Sequence, residues 1–203
     1  MALPAFNGET LKGRLNKMDK KRQLACGATC CERLLPNYLA FQQDTGWGDI
    51  SPIRNALNLV WSFLEDCQLP NAQEIRKITA HCEFVIPDSE KFESLYVSSA
   101  QDACFAVCNL LDFMIDSDVD KIVLAARYAT DSVDLYVQEL ENMEPNTSEL
   151  EQKILTHKLM QRELTKQEDD LRAIEKTSSL DSNFLTQLRS SWNNNGKSNL
   201  DLP

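Results

Sequence analysis

Residues 98–118 read SSAQDACFAVCNLLDFMIDSD. Between Ala100 and Ile115 the apolar side chains of Ala103, Cys104, Phe105, Ala106, Val107, Cys108, Leu110, Leu111, Phe113 and Met114 leave almost no polar face. A helix that is apolar nearly all round belongs at the centre of a bundle, because every side of it must be covered. Ser98-Ser99 opens this helix, and Asp116-Ser117-Asp118 breaks it and caps the next, Val119 to about Glu141. Working outward, Ser51-Pro52 supplies an N-cap and a first-turn proline. Ile53, Ala56, Leu57, Val60, Trp61 and Leu64 then recur at helical steps. The spacing also predicts helices over Thr10–Met18, Lys20 to about Leu34, Asn37–Gln43, Asn71–Phe84, Glu149–Lys176 and Asp181–Trp192. Pro36 is expected to end or restart its helix, since proline removes a backbone donor and crowds the preceding turn.

With 203 residues, six glycines and seven prolines, the chain reads as all-α: a single-domain multi-helix bundle of seven or eight helices over residues 1–192. No alternation is long enough to force a sheet. Residues 193–203, NNNGKSNLDLP, carry too little apolar surface to stay ordered by themselves and are expected to form a disordered tail. The Glu149–Lys176 helix has a narrow apolar stripe, with Leu164 its lone strong anchor between Gln161 and Asp170. It is expected to be the most peripheral long element and the place where two copies of the chain meet, making a homodimer.

Residues 1–33 hold seven basic side chains against three acidic ones, a net +4; the rest of the chain holds 14 against 28, a net −14, which together give −10. An acidic body repels phosphate backbones, so nucleic acid is a poor partner. No stretch reaches the ~18 to 20 apolar residues of a membrane span, and the N-terminus lacks the apolar core and cleavage site of a secretory signal. A cytoplasmic protein is expected, with its seven cysteines as reduced, buried thiols. Cys26/Cys30 and Cys104/Cys108 are each four apart and share a helix face, but apolar neighbours argue for packing over zinc. His81 and His157 are far from any recognised cysteine motif. Phosphate-binding glycine loops, H-E-x-x-H and a calcium loop are missing from the sequence, so no cofactor and no metal is expected.

The densest polar constellation is Glu32, Arg33, Asn37, Tyr38, Asp44, Trp47, Asp49 and Arg54 around Gly46-Trp47-Gly48. It reads either as a binding pocket or as a fold-defining corner in which Trp47 plugs the core and Asp49 caps a helix or pairs with Arg54. The second reading is the stronger. The run CERLLPNYLAFQQDTGWGD (31–49), followed by Arg54, Leu57, Leu59 and Trp61, then Pro87-Asp88, Tyr96 and Asp102-Ala103-Cys104, resembles the YjaG-like family of bacterial domain-of-unknown-function proteins. The resemblance spans roughly residues 10 to 192, and Glu32, Pro36, Asn37, Tyr38, Gly46 and Asp49 stand at its signature positions. It implies a helical bundle in a cytoplasmic bacterial protein and carries no reaction with it. The expected function is a non-catalytic binding or interaction protein with a protein partner not named by the sequence. The alternative is a small enzyme or ligand-binding protein with its pocket at the Glu32–Asp49 corner.

Overall fold

A computed structural model describes residues 4–66, 70–144, 147, 149–192 and 194–203. Cys67, Pro145, Asn146, Ser148 and Asn193, the first residue of the tail, lie outside the described residues. The described residues form nine helices and no strand: α1 Gly8–Leu15, α2 Lys20–Thr45, α3 Ser51–Asp66, α4 Ala72–Phe84, α5 Val97–Asp116, α6 Val119–Leu140, α7 Leu150–Thr156, α8 Lys158–Lys176 and α9 Ser182–Ser190. The caps follow the local chemistry. Asp19 accepts from Arg22 N at 2.9 Å to start α2, and Asn71 and Glu74 form a reciprocal capping box at α4. Ser117, at φ 61°, ends α5, and Asp118 accepts from Asp120 N at 3.0 Å to start α6.

α5 lies at the centre, as its composition requires. It packs on α2, α6, α4 and α3 and buries Ala103, Cys104, Ala106, Val107, Leu110, Leu111 and Phe113. α2 comes very close to it at Gly27, where an added Cβ would stand 2.4 Å from Leu110 Cδ2. A second, smaller cluster joins Ala40, Val133 and Val137 to Ile154, Leu159, Met160, Leu164, Leu200 and Leu202.

Three expectations need correction, and the described residues form nine helices rather than seven or eight. First, Pro36 neither ends nor restarts its helix: α2 runs unbroken through it. Proline cannot donate to the Glu32 carbonyl and crowds that turn, but Leu34, Leu35, Asn37 and Tyr38 are all buried on either side, so stopping would expose them. On the same turn the Arg33 carbonyl accepts from the tail, Asn199 N at 3.1 Å.

Second, the tail is packed. Asn199 is fully buried; its Nδ2 donates to Ala129 O at 2.9 Å and its Oδ1 accepts from Asn37 Nδ2 at 3.1 Å. Its carbonyl accepts from Arg162 Nη2 at 2.9 Å. Ser198 Oγ accepts from Leu200 N and Leu202 N, which folds the tail so that both leucines enter the second cluster. Saturated hydrogen bonds around one asparagine, rather than apolar area alone, hold it.

Third, the Glu149–Lys176 helix is broken at His157, whose backbone is extended (φ −63°, ψ 140°) and whose Nδ1 accepts from Leu159 N to cap α8. α8 is not peripheral. It buries Leu159, Met160, Glu163, Leu164, Asp170, Leu171 and Ile174 against α2 and α6.

Candidate functional site

The polar constellation around Gly46-Trp47-Gly48 does not converge on one pocket. Glu32, one position before Arg33 on α2, faces outward between Arg54 Nη1 at 2.7 Å and Arg189 Nε at 2.9 Å. Arg189 also donates to Asn58 Oδ1 and lies over the Trp61 ring. Asn37 points toward the tail, and its own Oδ1 is buried without a partner. Tyr38 is fully buried; its hydroxyl donates to Val85 O at 2.8 Å and accepts from Asp49 N at 3.3 Å. Burial pushes the phenol up to about 12. Asp44 accepts from Ser94 Oγ at 2.7 Å.

Trp47 does not plug the core. It is 38% exposed and rests edge-on against Phe41 and tilted against Phe92. The space beneath the loop belongs to Tyr38: Gly48, at φ +95°, has Tyr38 Oη where a Cβ would stand only 2.5 Å away. The glycine is needed both for its backbone angle and for that approach. Asp49 accepts from Ser51 N at 2.9 Å, and hydrogen bonding from the Ser51 side chain and then its backbone holds the exposed carboxyl below the usual range. It does not pair with Arg54, whose partner is Glu32.

Arg33 is the member with the most unusual surroundings. Its side chain is 1% exposed, and the Glu163 side chain 0%. Arg33 Nε and Nη2 grip both Glu163 oxygens at 3.0 and 2.8 Å, while Nη1 donates to Asp170 Oδ2 at 2.9 Å and Thr29 O at 3.0 Å. Lys166 pairs with Asp170 from the same helix. Burial alone would lower the guanidinium pKa, but the facing carboxylates more than reverse that, so the direction is up. Trp192 covers the cluster, with the Arg33 and Arg162 guanidinium groups 5.7 and 5.3 Å from its ring centre. Two cations and two carboxylates thus neutralise one another inside the protein.

The sequence reading missed Glu163 and Asp170. The signal was available: they lie seven residues apart, in phase with Met160, Leu164, Leu171 and Ile174. Carboxylates inside an apolar stripe require a buried cation opposite.

A groove of about 310 Å³ opens between the N-terminal segment, α1 and α8. Phe6, Leu11, Leu164 and Leu171 give it apolar walls, and Arg14, Glu168 and Arg172 form its rim. Arg14 bridges Glu168 and Glu175 across the two helices. Leu11, Gln167 and Leu171 are shared with an inner chamber of about 20 Å³ that reaches Cys26, Thr29, Cys30 and Asp170. That is room for a single water. Burial pushes the Cys30 thiol up to about 12, with Arg33 opposing, and burial also raises Cys26, so both are unionised. Cys26, Cys30, Cys31, Cys82, Cys104 and Cys108 are free thiols. Among the described residues no three His, Cys, Asp or Glu side chains stand together as a metal set.

The comparisons agree with this architecture. YjaG of Escherichia coli K12, an uncharacterised protein, is 33% identical over 100 residues, which is 48% of this chain and 49% of YjaG. An uncharacterised protein of Haemophilus influenzae is 31% identical over 105 residues, 50% of this chain and 52% of that protein. The matches therefore span about half the length of these curated relatives. The crystal structure of a DUF416 family protein from Shewanella baltica OS155 superposes with a TM-score of 0.85 at 25% identity, over 94% of this chain and 97% of that one. A family model described as a protein of unknown function, DUF416, matches residues 10–202, and with that span the chain belongs to the DUF416 family.

Proposed function

We propose that the chain is a non-catalytic binding protein of the cytoplasm, and that its site is the groove between the N-terminal segment, α1 and α8. The observation that carries this reading is the groove itself: about 310 Å³, walled by Phe6, Leu11, Leu164 and Leu171 and rimmed by charges already paired with one another. Clefts of this size and lining take small ligands with an apolar body. Six free thiols support a reducing compartment. No helix of the described residues is long and apolar enough to cross a membrane. The rival reading, an enzyme or ligand pocket at the Glu32–Asp49 corner, has less support, since Glu32, Arg33, Tyr38, Asp44 and Arg54 each spend their polar groups on internal partners.

The test uses Thr10, an exposed residue lining the groove. Protein purified without denaturant is extracted, and the released small molecules are compared with those from Thr10→Trp, in which the indole fills the groove without touching the core. One species near stoichiometry in the parent and lost from the variant supports the proposal. No enriched species, or one retained by Thr10→Trp, removes the groove as the site.

A further inference from the structure

The ion pairs on the rim of the groove leave one guanidinium open. Arg14 forks Glu175 through Nε and Nη2, at 2.8 and 2.7 Å, and gives Nη1 to Glu168 Oε2. Arg172 takes the other oxygen of that same carboxylate, Glu168 Oε1, through Nε. The Arg172 side chain is 60% exposed, and it has no second carboxylate among the described residues. Lys17, three residues after Arg14, is exposed and has no carboxylate partner among the described residues. The rim and the turn beside it thus hold three cations against Glu168 and Glu175, in a chain whose net charge is −10. A neighbouring hollow that shares Phe6 and Leu164 has the opposite balance, with Arg127 against Asp131, Asp134 and Glu151. Leu164 and Arg172 stand eight residues apart on α8, about 12 Å at 1.5 Å per residue, and Leu171 lines the groove between them.

We propose that the groove takes an amphiphile with one unbranched apolar chain and an anionic oxygen head, a carboxylate or a phosphate. This assignment rests on the groove being the binding site. The head accepts from the open edge of the Arg172 guanidinium, whose planar fork suits either anion. The chain runs from there along Leu171 to Leu164, against Leu11 and Phe6 on the opposite wall. An extended alkyl chain of medium length, such as that of decanoate, fits both this path and the volume of about 310 Å³. The inner chamber of about 20 Å³ beyond Leu11 and Leu171 is too small to admit it, so the chain stays in the groove. Burial of the chain supplies most of the affinity, and the head supplies the choice of charge. A cationic head would meet like charges at the rim, and a neutral one gains only an uncharged hydrogen bond.

The full chain, stripped of co-purified apolar molecules on a hydrophobic resin, is titrated calorimetrically with decanoate, decyl phosphate, decanol and decylamine. The expected result is binding of the anions, with decanol and decylamine weaker by about tenfold or more, the scale of one charge-assisted hydrogen bond. The tighter of the two anions names the head. Arg172→Gln should weaken the anions by about the same factor and leave decanol unchanged. Glu168→Gln, which frees both guanidinium groups, should tighten the anions, and Thr10→Trp should abolish binding of every probe. Decanol binding as well as decanoate, or anion affinity unmoved in Arg172→Gln, would overturn the anionic head and leave the groove standing as the site. Failure of both anions to bind would overturn the proposal, while a co-purified species lost from Thr10→Trp would still keep the groove. Anion binding retained in Thr10→Trp would overturn the proposal and the groove together.

Discussion

α5 and α8 are both long helices with one face on α2, yet they are held by different physics. α5 is sealed by alanine, leucine, valine and cysteine side chains, and Gly27 of α2 lets the two backbones close on each other. α8 offers a stripe in which Glu163 and Asp170 alternate with Met160, Leu164, Leu171 and Ile174. It docks by placing both carboxylates on Arg33. Apolar area is forgiving, and a lost methyl costs in proportion to its size. A buried ion pair is not: removing one partner leaves a charge without water or counter-ion, a loss of about 3–5 kcal/mol, although the intact pair adds little over a hydrophobic substitute. The α2–α8 contact is thus a lock that specifies where α8 sits more than it stabilises the chain.

The harshest way to break this comparison is to remove everything after Glu144. If α8 were an outer appendage, the remainder would fold. The account expects the remainder to lose cooperative melting by circular dichroism, because Arg33 would be left unpaired in the interior and the face covered by Leu171 and Ile174 would be open. A cooperative, monomeric fragment would show α8 to be dispensable.

Asn199→Ala tests the tail that lies beside this lock. It leaves the buried Asn37 Nδ2 without its partner and takes from Ala129 O the bond it receives from the tail, and should cost about 1–3 kcal/mol in a urea melt. Lys197→Ala, at an exposed position on the same tail, should stay within about 0.5 kcal/mol.

On the α5 side, Asp102 is the exception in an apolar helix. It accepts from Ser132 Oγ at 2.7 Å, and burial pushes its carboxyl up to about 7. The unfolded group titrates near 3.9. Between about pH 4 and 7 the folded state therefore holds the extra proton, so this group's contribution to stability is present at low pH and is lost as pH rises through about 7. Asp102→Asn should flatten the fall in melting temperature from pH 5 to 8. An unchanged slope would mean that Asp102 is charged throughout.

Trp47 and Trp61 give the smallest effect and its control. Trp61 is 1% exposed, and Trp61→Ala should cost about 3–5 kcal/mol. Trp47→Ala removes mainly its contacts with Phe41 and Phe92 and should cost about 1 kcal/mol. Equal losses would put Trp47 back in the core.

What could be read beforehand divides along the same line. The centre of the bundle was legible because burial of α3, α5 and α6 is written in apolar residues at helical spacing, and the caps at Asp19, Asn71 and Asp118 are local chemistry. The candidate site was legible only in part. Arg33 stood out, but its partners lie on a helix more than a hundred residues away whose acidic residues resemble a solvated face. The helix break at His157 and the run through Pro36 depend on what packs opposite, which local propensity does not contain. Asn199 was hidden because a polar side chain announces burial only through distant partners. Trp47 misled for the converse reason: two glycines around a large aromatic ring suggest a buried plug, while the space is filled by Tyr38, from the α2 turns just before the loop.

The most direct test of the central claim is a double-mutant cycle of Arg33→Met and Glu163→Met, read by urea denaturation. The account predicts that each single variant loses about 3–5 kcal/mol, and that the double variant loses less than either, because the second change removes the charge the first left stranded. Losses that simply add would contradict it, showing that Arg33 and Glu163 act on the fold independently.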